Sequence, residues 1–118
     1  MPRSSWKLNI DASTELGAKK VINRCIKSLG RPPVESRIEK YTKGGYMATL
    51  EFYHHDKLSW PEIVFEVISF GESLGVGWVL MGNIACDPSA VLSKESTAKI
   101  SVPGLVWAEW QVSSEKDA

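Results

Sequence analysis

The order in which the hydrophobic period changes along the chain constrains the fold most. Trp6, Leu8 and Ile10 alternate with Lys7, Asn9 and Asp11, the period of two that buries one face of a strand. Ala18, Val21, Ile22, Cys25, Ile26 and Leu29 then recur at helical spacing, which predicts a helix over about 13–29, capped by Asp11 or Ser13 and stopped at Gly30. Arg31-Pro32-Pro33 forbids its continuation, because proline lacks an amide donor and drives the preceding residue out of α geometry. Residues 35–42 and 46–55 read as strands joined at Lys43-Gly44-Gly45, where glycines supply the positive φ of a hairpin turn.

The second helix carries its own start signal. Ser59 and Glu62 form a capping box, Leu58 and Ile63 suit the accompanying staple, and Gly75 ends the element. Trp60, Ile63, Val64, Val67, Ile68, Gly71 and Leu74 make its buried stripe, with Gly71 allowing a close approach to the sheet. Val76, Trp78, Leu80 and Ile84 predict a strand, residues 87–97 a polar loop, and residues 98–112 a last extended segment broken at Pro103-Gly104. Seven elements in the order βαββαββ describe an α+β chain. Its first six match the ferredoxin-like βαββαβ arrangement, an antiparallel sheet with both helices on one face, and the seventh is an extra C-terminal strand. A length of 118 residues is enough for one domain, 1–118, without metal or disulfide staples.

No apolar run approaches the roughly 20 residues that span a bilayer, and the N-terminal residues lack the continuous apolar core of a secretion signal. Cys25 and Cys86 show no Cys-x-x-Cys spacing, so both are expected as reduced, mostly buried thiols in a cytoplasmic protein. The net charge is zero, yet residues 1–44 carry ten Lys/Arg and four Asp/Glu while residues 45–118 carry four and ten. The halves either oppose each other in space or interleave in the fold, and interleaving is the plainer expectation.

Little in the chain suggests turnover. His54-His55-Asp56 is the one cluster of catalytic or ligating residue types, but neighbouring residues of a strand face opposite ways, so a solvated strand end is expected and no catalytic residue, metal or cofactor is assigned. The glycines of 75–82 leave a helix and enter a strand, the reverse of a phosphate loop. Lys43 to Phe52 invites comparison with an RNA recognition motif, yet Met47, Thr49 and Lys7 stand where its stacking aromatics belong, so nucleic acid is not the expected partner. Lys19, Lys20, Arg24 and Lys27 line the polar side of the first helix, either as a basic docking patch or as a solvated face.

The aromatic residues point to binding. Five tryptophans exceed what a modest core requires, and Trp107 and Trp110, three apart in a strand, face opposite sides of the sheet. One of them therefore joins Met47, Glu51, Tyr53, Met81 and Glu109 as a candidate partner-binding set, unless the C-terminal segment folds over that face. A compact, tryptophan-rich α+β chain without a catalytic constellation, closing on strands such as Gly77-Trp78-Val79-Leu80-Met81-Gly82-Asn83-Ile84, resembles small bacterial toxin-immunity proteins. The resemblance implies a protein that binds a toxin and blocks it without catalysis, and it brings over no site residue. The expected partner is thus another protein, met through either the acidic C-terminal surface or the aromatic sheet face, or a second copy of the chain. A ferredoxin-like dimer that binds or turns over a small molecule, with His54 or His55 contributing, is the alternative, and RNA binding a third.

Overall fold

A computed structural model describes residues 2–114. Strand β1 is Arg3–Ile10, helix α1 Glu15–Leu29, and β2 and β3 are Glu35–Lys40 and Tyr46–Tyr53. Helix α2 is Trp60–Leu74, followed by β4 Gly75–Val76, β5 Val79–Met81, β6 Ser89–Ser93, β7 Lys99–Ile100 and β8 Leu105–Val112. Helix α1 starts later than the sequence predicts. Thr14, not Asp11 or Ser13, is its cap, in extended geometry with its hydroxyl accepting the Gly17 N–H at 3.0 Å, while Asp11 is still held in the β1 end, its N–H donating to the Gly104 carbonyl. The stop at Gly30 and the turn at Gly44 and Gly45 fall where expected, each glycine at positive φ. At α2 the Ser59 hydroxyl accepts the Glu62 N–H while the Glu62 carboxylate accepts the Ser59 N–H, closing the capping box.

Beyond α2 the chain departs from the sequence reading. Gly77, at φ +95°, turns the backbone, so the strand expected over Val76–Ile84 divides into β4 and β5. The stretch expected to be a polar loop contains β6, whose Ala90 and Leu92 are buried. Six strands form one sheet in the order β2-β3-β1-β8-β6-β5, every pair antiparallel, and β4 pairs β7 apart from it. The C-terminal segment is therefore no appendage. It breaks at Pro103-Gly104 as expected, and β8 then stands beside β1, the place expected for the strand after α2, while β5 lies at the sheet's far edge.

One side of the sheet makes the core. Trp6, Leu8, Ile10, Ala48, Leu50, Phe52, Ala90, Leu92, Ala108 and Trp110 alternate along their strands and pack with Ala18, Val21, Ile22, Cys25, Ile63 and Val67 of the two helices. Trp6 is its aromatic hub, with ring centroids 6.4 Å from Phe52, 6.0 Å from Trp78 and 6.3 Å from Trp110. Gly71 gives α2 its close approach: a Cβ there would lie 3.2 Å from the Trp78 indole and 3.3 Å from that of Trp110. The Trp78 N–H donates to the Gly71 and Gly75 carbonyls, and the Trp60 N–H to that of Ile84. Four of the five indoles are thus committed to this side, fewer to spare than the sequence reading expects. Among the described residues no helix is long and apolar enough to cross a membrane.

Candidate binding face

The opposite side of the sheet is assembled by strand parity. Residues whose neighbours point into the core line up across five strands in rows set by the register: Glu35–Glu51–Ser5–Gln111–Ser89, Arg37–Thr49–Lys7–Glu109–Val91 and Glu39–Met47–Asn9–Trp107–Ser93. Val79 and Met81 continue the second and first rows onto β5, opposite Val91 and Ser89. No residue of these rows is buried, so none of the described chain crosses the face. Of the candidate set, Met47, Glu51, Tyr53, Met81, Trp107 and Glu109 lie on it. Trp110 does not, because odd and even positions of β8 divide between face and core, and it is 1% exposed among the helices' partners.

The electrostatics of the face are mixed. Lys7 of the basic half sits beside Thr49 and Glu109 of the acidic half, so the sheet interleaves the two halves instead of opposing them. Arg3 bridges to Glu51 at 3.1 Å, stacks 4.7 Å from the Tyr53 ring centroid and donates to its hydroxyl, which holds the Tyr53 ring beside it. Glu35 lies directly opposite Glu51, and their hydrogen bond, followed by desolvation, raises the Glu51 carboxyl above its ordinary value against the pull of Arg3 and Arg37. Two hollows open at the ends of the face. One, of about 560 Å³, has Arg3, Ser5, Glu51 and Gln111 in its wall, and the other, of about 660 Å³, has Trp107, Met47, Tyr41, Lys43 and Lys94. The basic residues Lys19, Lys20, Arg24 and Lys27 are exposed on α1, in the helical layer away from this face, and Arg24 reaches the Pro103 carbonyl at 3.4 Å.

A second constellation lies at the end of the core, where the sequence reading expects a solvated strand end. His55 is exposed, but His54 is fully buried. Its Nε2 is 2.7 Å from the Ser4 hydroxyl and its Nδ1 2.9 Å from Glu66 Oε1, while the Ser4 oxygen also accepts the Trp6 N–H at 2.9 Å. Arg31 closes the chain with a 3.1 Å contact to Glu66, a bond to the Tyr53 carbonyl and a stacking position 4.8 Å from the Phe70 centroid. The Glu66 carboxylate can only accept, so Nδ1 carries a proton, and in the neutral imidazole Nε2 then accepts from the Ser4 hydroxyl, whose oxygen keeps a lone pair for the Trp6 N–H. Burial drives the His54 pKa below its ordinary value and outweighs the opposing Glu66 carboxylate, which fits that tautomer. The spacing is that of a serine–histidine–carboxylate relay, but Ser4 and His54 expose no surface, so no substrate atom reaches them in this conformation. What the arrangement does chemically is satisfy the buried side-chain donors and acceptors of the described residues at that end of the core. Among the described residues no group of three or more His, Cys, Asp or Glu is placed to hold a metal ion.

Compared with known proteins, the chain matches no family model, no curated protein and no solved structure.

Proposed function

We propose that this chain is a non-catalytic binding module that docks another protein on the helix-free face of its sheet. The supporting observation is that no residue of that face is buried: Trp107, Tyr53, Met47 and Val91 stand half-buried among charged neighbours on β8, β3 and β6, and no described segment covers them. Aromatic anchors ringed by paired charges are the composition of a protein interface, with the anchors carrying most of the energy. The narrower reading is neutralisation of a bacterial toxin in a reducing cytoplasm, in keeping with two cysteines that lie apart, Cys25 in the core and Cys86, expected to be mostly buried, at the surface. In fold terms we read β2-β3-β1-β8 with the two helices as a ferredoxin-like unit, β8 taking the place of its fourth strand and β4–β7 inserted before it.

Co-expression with the protein encoded beside it, followed by co-purification and a protection assay, is the direct test. Trp107→Ala should weaken the complex by about tenfold to a hundredfold, and Lys20→Ala on α1 should leave it unchanged. A complex indifferent to Trp107, Tyr53 and Met47 together would exclude the face.

A further inference from the structure

The two edges of the sheet are built differently, and the difference has a use. Strand β2, at one edge, has four charged residues in six, Glu35, Arg37, Glu39 and Lys40, the device that keeps an open edge from recruiting another strand. Strand β5, at the other edge, has none. Val79, Leu80 and Met81 are 56%, 53% and 45% exposed, with Val76 and Ile84 beside them in sequence at 55% and 58%. No charged residue occurs anywhere from Ser73 to Cys86. An unguarded apolar edge is costly to leave in water and is a template for strand addition.

We propose that β5 is the seam of a homodimer, pairing antiparallel with its own copy about a twofold axis at Leu80. Self-pairing is the arrangement the chemistry favours. An antiparallel twofold sets Leu80 against Leu80 and Val79 against Met81, so an uncharged strand meets an uncharged strand and each unpaired N–H finds a carbonyl. A head-to-tail contact of β5 with β2 would instead press Val79 and Leu80 against Glu35, Arg37 and Glu39, which blocks growth into fibres and closes the assembly at two. Leu80 also borders a hollow of about 260 Å³ formed with Ile68, Glu72, Val76, Trp78 and Trp110, which leaves room on the helix side for the incoming strand. Val79, Leu80 and Met81 together present roughly 270 Å² of apolar side chain per copy, a small patch by the measure of an ordinary monomer. Edge pairing covers Leu80 and the outward backbone of β5 while Val79 and Met81 keep to the open face, so the dimer buries less than the ~1,000 Å² of a stable specific interface and is weak and reversible. Because the axis stands perpendicular to the sheet, both helix-free faces stay on one side and open, and this inference does not rest on what binds there.

Sedimentation equilibrium from about 10 μM to about 500 μM is the test. The mass should rise from 13.1 kDa toward twice that value as concentration increases, and Leu80→Lys should raise the dissociation constant on the order of a hundredfold or more. Circular dichroism confirms that the variant is folded. A second measurement asks for the register: in a Cys86→Ser background, Leu80→Cys should form a disulfide-linked dimer under oxidised glutathione, and Ile38→Cys on the β2 edge should not. A chain that stays at one mass throughout overturns self-pairing and leaves the edge to a foreign apolar strand. A dimer that survives Leu80→Lys, or cross-links equally through residue 38, places the seam elsewhere and overturns it as well. Loss of partner binding by Trp107→Ala with an intact dimer, or the reverse, separates this inference from the binding face.

Discussion

Replacing Ser4 by alanine tests whether the buried polar chain locks the end of the core. The Ser4 hydroxyl is acceptor for the Trp6 N–H at 2.9 Å and donor to His54 Nε2 at 2.7 Å. Ser4→Ala removes both roles at once and strands two fully buried groups, the indole N–H and the imidazole lone pair. At about 1–3 kcal/mol for each unsatisfied group, the expected loss is about 2–6 kcal/mol, a large share of the roughly 5–15 kcal/mol that holds such a domain. Urea unfolding followed by tryptophan fluorescence and far-ultraviolet dichroism should show a lower midpoint at an unchanged slope. A loss below about 1 kcal/mol would mean that the two groups find other partners, and the lock would be refuted.

The same network sets a pH dependence whose sign follows from burial. The folded protein resists the proton that the unfolded chain accepts near pH 6.5, because desolvation, helped by the nearby Arg31, outweighs Glu66 at His54. Stability from this group is complete above that pH and declines as pH falls toward the lower folded value, by up to about 1.4 kcal/mol per pH unit. His54→Gln lacks the titration, so the wild type should lose stability more steeply than the variant between pH 6.5 and about pH 5. Parallel curves for the two proteins would remove the argument.

Other perturbations have equally definite outcomes. Gly104→Ala puts a Cβ 2.6 Å from Val21 at φ +93°, and strain together with overpacking should cost about 2–5 kcal/mol in a denaturation series. Ser59→Ala removes the hydroxyl half of the α2 capping box and should cost about 1 kcal/mol by the same measurement. Burial pushes the Cys25 thiol up to about 12 whereas Cys86 is exposed, so an alkylating reagent near pH 8 should modify one thiol in the folded chain and the second only in denaturant. Trp107→Ala, which empties no core space, should change stability by less than about 1 kcal/mol even while it weakens a partner.

What the sequence shows clearly is whatever a few neighbouring residues decide. The Ser59–Glu62 box, the stop at Gly30 and the turn at Gly44 and Gly45 act within one turn of chain, and each stands where it is read. Strand adjacency is not local in this sense. That β8 lies beside β1 depends on Trp6 meeting Trp110 across 104 positions of chain, and β6 hides because Ser89-Ala90-Val91-Leu92-Ser93 is short, small and flanked by polar residues. The buried histidine, by contrast, has a signal that was there to be used. Ala48, Leu50, Phe52 and His54 share one parity, as do Ser4, Trp6, Leu8 and Ile10, so carrying the buried alternation one step past Phe52 puts His54 inside, not in solvent. The register of β1 on β3 sets Ser4 opposite Phe52, which makes His54, two residues on and on the same side, its diagonal neighbour without any long-range guess beyond that single pairing. Parity also decides which indole is left for a partner. Trp110 shares its side of β8 with Ala108 and Val112 and goes to the core, so Trp107 alone of the five faces outward, and a binding role rests on one ring and its neighbours on the face rather than on a surplus of tryptophan.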